Sequence, residues 1–258
     1  MRYRRCILPR SLRVLFLLLQ WVTLPVICQA QKEPADSILD LGSLHKAKDA
    51  KGPMESRVAA AIALNRETFS YPAMFSDYIG YQLDDYPDAN VLVLPAGTKI
   101  KGNLQLDWDA DWLRGKRIVA IDCQGDLSVD GNIVNDMLEG GPLLFVGGSL
   151  KVHNLKKGGA SIIILGDLKA DGWVIGEYND GVMRIGGDLE AKAFLLLDHD
   201  GFVRGETRAR ELNGEEISNW QKILVAEVFD QPEDSDSWPD VERIWARLIE
   251  DLAVFRKP

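Results

Sequence analysis

The chain has 258 residues, 30 of them basic and 39 acidic, for a formal net charge of −9. That acid excess argues against phosphate backbones and anionic membrane surfaces as partners and leaves basic proteins and cations. Three cysteines, two of them (Cys6 and Cys28) within the first thirty residues, exclude a disulfide-stapled scaffold.

The first thirty residues differ from the rest. Arg2, Arg4, Arg5, Arg10 and Arg13 form a basic leader, Val14 to Ile27 is mostly apolar, and Cys28-Gln29-Ala30 follows. Basic, apolar, then small residues at −3 and −1 is the pattern of a secretory signal peptide cleaved after Ala30. An uncleaved anchor is the alternative, but the apolar run contains Gln20 and Pro25 and falls short of the roughly 20 residues a bilayer span needs. A lipidated Cys28 is a third reading, and Ile27 stands where a small residue is required. Cleavage takes five arginines and no acids from the chain, leaving a net charge of −14. The expectation is therefore an exported, bacterial, periplasmic or secreted protein without stable membrane insertion.

Residues 31–52 read as a polar linker with one helical turn at Ile38, Leu39, Leu41 and Leu44. Residues 53–90 read as a helical and aromatic cap. Pro53 suits a first helical turn, Glu55 suits the dipole, and Val58, Ala59, Ile62 and Ala63 follow at helical spacing. Phe69, Tyr71, Phe75, Tyr78, Ile79, Tyr81 and Tyr86 then form an aromatic cluster that covers the first coil of the repeat region or makes a ligand platform.

Residues 91–205 repeat. A glycine, a polar residue and a leucine recur at Gly102-Asn103-Leu104, Gly125-Asp126-Leu127, Gly148-Ser149-Leu150, Gly166-Asp167-Leu168 and Gly187-Asp188-Leu189, spaced by 23, 23, 18 and 21 residues. A period near 20 with short apolar runs predicts a solenoid. Upstream of the anchors lie Val91 to Leu94, Ile118 to Ile121, Leu143 to Val146, Ile162 to Leu165 and Val182 to Ile185, whose continuous apolarity fits strands covered on both sides. After four anchors comes an alternating piece, such as Leu150-Lys151-Val152, and then a third short run, such as Trp173-Val174-Ile175. The fold class expected is mostly β: a single-stranded β-helix of about five coils, with glycine at the corners through positive φ or close approach, capped by α-helices at its N- and C-terminal ends. Cys123, beside the run Ile118 to Ile121, reads as a buried structural thiol.

The units Gly125-Asp126-Leu127-Ser128-Val129-Asp130-Gly131 and Gly166-Asp167-Leu168-Lys169-Ala170-Asp171-Gly172 resemble the repeats of bactofilins, the polymer-forming bacterial cytoskeletal family. The resemblance implies a right-handed β-helix that polymerises end to end and has no enzymatic role. The export leader, the uneven coil lengths and the helical termini depart from that family.

Residues 206–258 read as a C-terminal helical cap. One helix over Glu215 to Phe229 places Ile217, Trp220, Ile223, Leu224 and Val228 on one face. A second begins near Pro239, capped by Ser237, with Val241, Ile244, Trp245, Leu248, Leu252 and Phe255 inward. Both pack on the last coil or along the flank.

Three places carry candidate chemistry. Asp107-Trp108-Asp109-Ala110-Asp111-Trp112 alternates acids as a calcium loop does, but Trp112 and Ile118 stand where that loop needs glycine and an acid. As an extended segment it would present the three acids on one face, with Trp108, Asp109 and Asp111 as contact residues. Asp198-His199-Asp200-Gly201 has a histidine between carboxylates, which suits acid–base work or a turn. Glu177-Tyr178-Asn179-Asp180-Gly181 is a turn one coil earlier. Stacked turns of solenoids form binding surfaces, so Tyr178, Asp180, His199 and Asp200 join the candidate contacts. His153 reads as a solvent-edge residue. No catalytic, metal or cofactor set emerges.

The expected function is thus non-enzymatic binding of a protein partner, a basic one by charge, in the cell envelope. An immunity or inhibitor protein against a periplasm-acting toxin is its concrete form. The alternatives are a self-assembling, bactofilin-like scaffold and a polysaccharide-active β-helix enzyme, which would need a carboxylate ladder this repeat lacks.

Overall fold

The computed structural model describes residues 38–64, 73–178, 180–213, 217–234 and 237–256, all within one compact unit, Gln31–Pro258. The leader, residues 31–37 of the polar linker, the predicted end of the first helix, Phe69, Tyr71, Asn179 and Lys257 lie outside them. Among the described residues no helix is long and apolar enough to cross a membrane.

The architecture is a parallel β-solenoid with helical N- and C-terminal regions. One face stacks β2 (Asn90–Leu94), β5 (Ile118–Cys123), β8 (Leu143–Val146), β11 (Ile162–Ile164), β14 (Val182–Ile185) and β16 (Asp200–Val203). A second face stacks β3 (Thr98–Ile100), β6 (Leu127–Val129), β9 (Leu150–Val152), β12 (Leu168–Ala170) and the openings of β15 (Leu189–Leu197) and β17 (Thr207–Asn213). The third stacks β4 (Leu104–Gln105), β7 (Ile133–Asn135), β10 (Leu155–Lys157), β13 (Trp173–Glu177) and the later parts of β15 and β17. The coil count differs slightly from the five expected.

Leu94, Ile121, Val146, Ile164 and Ile185 from the first face meet Leu127, Leu150, Leu168, Leu189, Ile133, Leu155 and Val174 in one interior core. Each such side chain contributes roughly 1.5–3 kcal/mol of burial. Continuous apolarity marks the faces that carry a second layer. Outside the first face, Val91, Val93, Phe145 and Ile163 pack under α1 (Ala47–Leu64) and α2 (Ala73–Asp84) through Met54, Val58, Phe75, Ile79 and Leu83. Outside the third face, Trp173, Ile175, Ala193 and Leu195 pack under α3 (Ile217–Ile223) and α4 (Val241–Ile249) through Trp220, Leu224, Ile244 and Trp245. Among the described residues the second face has no such layer, and its outward residues Lys99, Ser128, Lys151, Lys169, Glu190 and Arg208 are polar. The helices therefore lie against the flanks of the solenoid. Its N-terminal edge on the first face is closed by β1 (Ser43–Lys46), which runs antiparallel along β2.

The recurring glycine has a specific cause. Asp126 Oδ1 accepts from the Ser149 N–H at 2.8 Å, Ser149 Oγ from Asp167 at 3.1 Å, Asp167 Oδ1 from Asp188 at 2.9 Å, and Asp188 Oδ1 from Glu206 at 2.9 Å. Each polar side chain thus reaches across to the next coil, where a Cβ on Gly148, Gly187 or Gly205 would overlap it and one on Gly166 would stand 2.6 Å from Ser149 Oγ. Close approach, and not positive φ, requires these glycines, since the positive-φ glycines are Gly97, Gly102, Gly115 and Gly140. A parallel asparagine ladder runs down another corner. Asn103 Oδ1 accepts from the Asn132 N–H, Asn132 Oδ1 from Asn154 Nδ2, and Asn154 Oδ1 from the Trp173 N–H.

The register corrects several expectations. Leu104 pairs with Ile133, and Thr98 with Leu127, so Gly102-Asn103-Leu104 belongs to the asparagine corner and not with the other four anchors. The stack continues past residue 205, because Gly205-Glu206-Thr207 is a further unit that opens β17. The helix α1 starts at Ala47 and holds Pro53 inside it, since Ala47, Ala50, Met54 and Val58 make one buried stripe. Ala59 and Ala63 face solvent. Near the C-terminus a helix ends at Ile223, and Ala226–Val228 forms a separate 3-10 turn. Asp240, not Ser237, caps α4 by accepting from the Arg243 N–H, and Leu252 lies beyond that helix, exposed. Cys123 is buried, and burial pushes its thiol up.

Candidate binding site

Each coil returns from the third face to the first through a turn, and these turns vary most in length. They comprise the segment after β4 that holds Trp108, residues 136–142, residues 158–161, residues 178–181 and residues 198–199. They stack closely: a Cβ on Gly141 would overlap the Leu106 carbonyl, one on Gly159 the Gly140 N–H, and one on Gly181 the Gly159 carbonyl. Helix α2 runs beside this corner, and its outward side chains and the turns enclose a cleft of about 300 Å³.

Tyr78, Tyr81 and Gln82 from α2, with Asp85 and Tyr86 just after it, form one wall. Trp108, Glu139, Ser161, Asp180 and the backbone of Gly140, Gly141 and Gly159 form the other. Tyr81 is 73% exposed, Tyr86 51% and Trp108 39%, unusual openness for rings this large. Gly140, at φ 121°, brings its Cα under the Trp108 indole, where a Cβ would stand 3.3 Å from Nε1. Asp85, Glu139 and Asp180 make no ion pair or hydrogen bond among the described residues, and no lysine or arginine lines the cleft. Gln82 is engaged, its Nε2 donating to the Val119 carbonyl at 3.3 Å.

Behind the cleft lies a buried polar cluster. Arg184, on the outer side of β14, packs its guanidinium 5.7 Å from the Tyr78 ring centroid. It forks onto Asp200, Nη1 to Oδ1 at 2.9 Å and Nη2 to Oδ2 at 2.5 Å, which holds that carboxyl below its usual range. His199 Nδ1 lies 2.5 Å from the Tyr178 carbonyl, and its ring fills the space beside Gly176. Burial pushes His199 down to about 4, so the ring is neutral near pH 7 and Nδ1 carries the proton that the carbonyl accepts. Nε2 is buried without a partner. Lys157, on β10, is fully buried and donates to the Gly158 carbonyl at 2.5 Å. Burial, reinforced by Arg184, pushes its ammonium down to about 7.

The structure therefore sorts the candidate residues. Trp108 and Asp180 meet in the cleft. Tyr178, at φ 67°, stacks on the turn of the following coil through its N–H to the Leu197 carbonyl, beside His199 and Asp200. Asp200 is spent on Arg184 and not on His199, so the pair holds a turn in place. The acids at 107–111 do not share a face, because the segment turns instead of extending. Asp107 is buried, accepting from Asn135 Nδ2 and the Met137 N–H on Oδ1 and from Gln105 Nε2 on Oδ2. Trp112 is in the core with Nε1 bonded to the Gln105 carbonyl, Asp111 pairs with Arg114, and Asp109 is exposed away from the cleft lining. His153 is a solvent-edge residue.

Sequence reasoning missed Tyr81, Asp85, Tyr86 and Glu139 as one set. The aromatic cluster and the turn spacing held part of the signal, but nothing linear places α2 beside residues 108, 139 and 180. Among the described residues no group of three or more His, Cys, Asp or Glu converges to hold a metal. A comparison with family models, curated proteins and solved structures finds no match to this chain.

Proposed function

We propose that the protein is a non-enzymatic, exported binding module that engages a basic protein in the cell envelope through the turn corner beside α2. The cleft carries this reading, since large exposed rings and unpaired carboxylates gathered in one concavity are what a partner's side chain would fill. The leader Met1 to Ala30 supports export, and the net charge of −14 after cleavage supports a basic partner. An immunity or inhibitor protein against a periplasm-acting toxin is the concrete form of this proposal.

A photo-crosslinking residue placed at Tyr81 or Tyr86, with Lys151 on the bare second face as control, tests it. The expected result is a stoichiometric crosslink to one basic protein from the cleft positions alone. Equal labelling from Lys151, or no crosslinked partner, overturns it. A second reading, a self-assembling scaffold similar to the bactofilins, is favoured by one observation. Among the described residues, β16 ends the first sheet and β17 pairs with β15 alone, which leaves strand edges at the C-terminal end of the solenoid. Light scattering separates the two readings, because a monodisperse monomer or dimer excludes the scaffold.

A further inference from the structure

We infer that the cleft between α2 and the stacked turns is a receptor for a single arginine or lysine side chain of the partner, held between aromatic faces and three carboxylates. The inference rests on the protein-binding reading above and names the chemistry by which that site would recognise its partner.

The lining decides the ligand class. Asp85 enters from the end of α2, Glu139 from the turn before β8 and Asp180 from the turn before β14, so negative charge surrounds the cleft. These carboxylates do not converge tightly enough to hold a metal. Elsewhere in the chain surface acids often find partners, as Asp84 does with Lys51, Glu190 with Lys169 and Asp188 with Arg208. Here the exposed Tyr81, Tyr86 and Trp108 rings line the same cleft as the acids. A cation over such a ring gains roughly two- to thirtyfold in affinity, with Trp the best face. The molecule already makes this contact at the back of the site, where Arg184 packs over Tyr78, and again where Arg57 lies 5.2 Å above Phe145.

An anionic ligand would meet three carboxylates with no lysine or arginine lining the cleft beside them. A neutral saccharide would stack on the rings but make no use of the charge, so it serves as the competing arm of the test. The volume of about 300 Å³ is at the small end for a ligand pocket and suits one long side chain more than a folded segment.

The test is a titration of the purified protein followed by ¹H–¹⁵N NMR, with acetyl-arginine amide, acetyl-lysine amide, acetyl-glutamine amide and chitotetraose as probes. The Trp108 indole signal is identified by its loss in Trp108→Phe. The two cationic probes are expected to shift that signal and the amides of Gly140, Gly159 and Asp180, with affinity weakening as salt rises. Asp85→Asn with Asp180→Asn is expected to weaken cationic binding by roughly tenfold while leaving the amide spectrum elsewhere unchanged. Equal shifts from acetyl-glutamine amide, shifts from chitotetraose alone, or no shift from any probe overturn the inference. If a protein still crosslinks at Tyr81 after that result, protein binding stands and the basic-side-chain receptor alone falls.

Discussion

The His199 ring occupies the space that Gly176 leaves open. A Cβ on Gly176 would overlap His199 Cδ2 and press on the Leu196 side chain. Gly176 lies inside β13, where glycine is otherwise a poor choice, so its role is to admit a side chain from the next turn. Gly176→Ala is expected to destabilise the protein by about 1–3 kcal/mol through overpacking. In the His199→Ala background the same substitution should cost clearly less, because the obstructing ring is gone. Urea denaturation of the four proteins measures the coupling, and additive costs would contradict the packing relationship.

The corner ladder makes a second prediction. Asp167→Ala removes the acceptor for the Asp188 N–H and should cost about 0.5–1.5 kcal/mol, with faster hydrogen exchange at the Asp188 amide. Asp167→Asn keeps an oxygen in that place and should restore most of the loss. If asparagine performs no better than alanine, charge and not the cross-coil hydrogen bond explains the effect.

These ladders also show why the solenoid was legible. Glycine followed by a short polar residue recurs because the polar group of one coil occupies the Cβ space of the next, and inward leucines then fall at fixed offsets. The same letters misled at Gly102-Asn103-Leu104, since an asparagine ladder at another corner uses a similar unit. Strand β1 was not legible because all four of its residues are exposed and carry no burial pattern. Strand β17 was hidden because Arg208 and Arg210 face outward and Glu211 falls in register with the interior Phe194, which breaks the apolar pattern, while Leu212 follows Leu195 on the outer side under α3 and α4. Asp107 and Trp112 looked like surface groups, yet each meets a buried partner on β4 or β7 that local sequence does not reveal. Trp108 and Asp180 were recognisable as contacts, but their joint cleft with Tyr81 and Tyr86 depends on how α2 lies along the corner.

Lys157 makes stability depend on pH. Its ammonium is buried, with Arg184 repelling it and Asp200 and Asp180 only partly offsetting that, so its pKa falls from an ordinary 10.5 to about 7. Between those values the unfolded chain binds the proton and the folded chain does not. Stability therefore rises with pH from about 7 upward, by up to about 1.4 kcal/mol per pH unit from this group, and its full penalty is present below about 7. The increase in urea midpoint between about pH 7 and about pH 9 should be larger for the wild type than for Lys157→Met. An equal increase in both proteins would show that Lys157 stays charged when folded.

Asp122 and Arg57 join α1 to the solenoid, and the last prediction separates the pair's attraction from its burial. Asp122 lies on the outer side of β5 and is almost fully buried, and Arg57 from α1 donates to it while packing over Phe145. Burial raises the Asp122 carboxyl in spite of the guanidinium, so the acid is poorly solvated even when paired. Arg57→Met keeps much of the packing on Phe145 but strands the carboxylate, and should cost about 3 kcal/mol near neutral pH. That cost should shrink in acid, where protonation of Asp122 removes the isolated charge. Arg57→Met combined with Asp122→Leu leaves no buried charge and should recover most of the loss, since an apolar pair can fill the same place between α1 and β5. Thermal unfolding of the wild type and the three variants at neutral and acidic pH measures this. A double variant as unstable as Arg57→Met would mean that the ion pair itself, and not relief of a stranded charge, holds α1 on the first face.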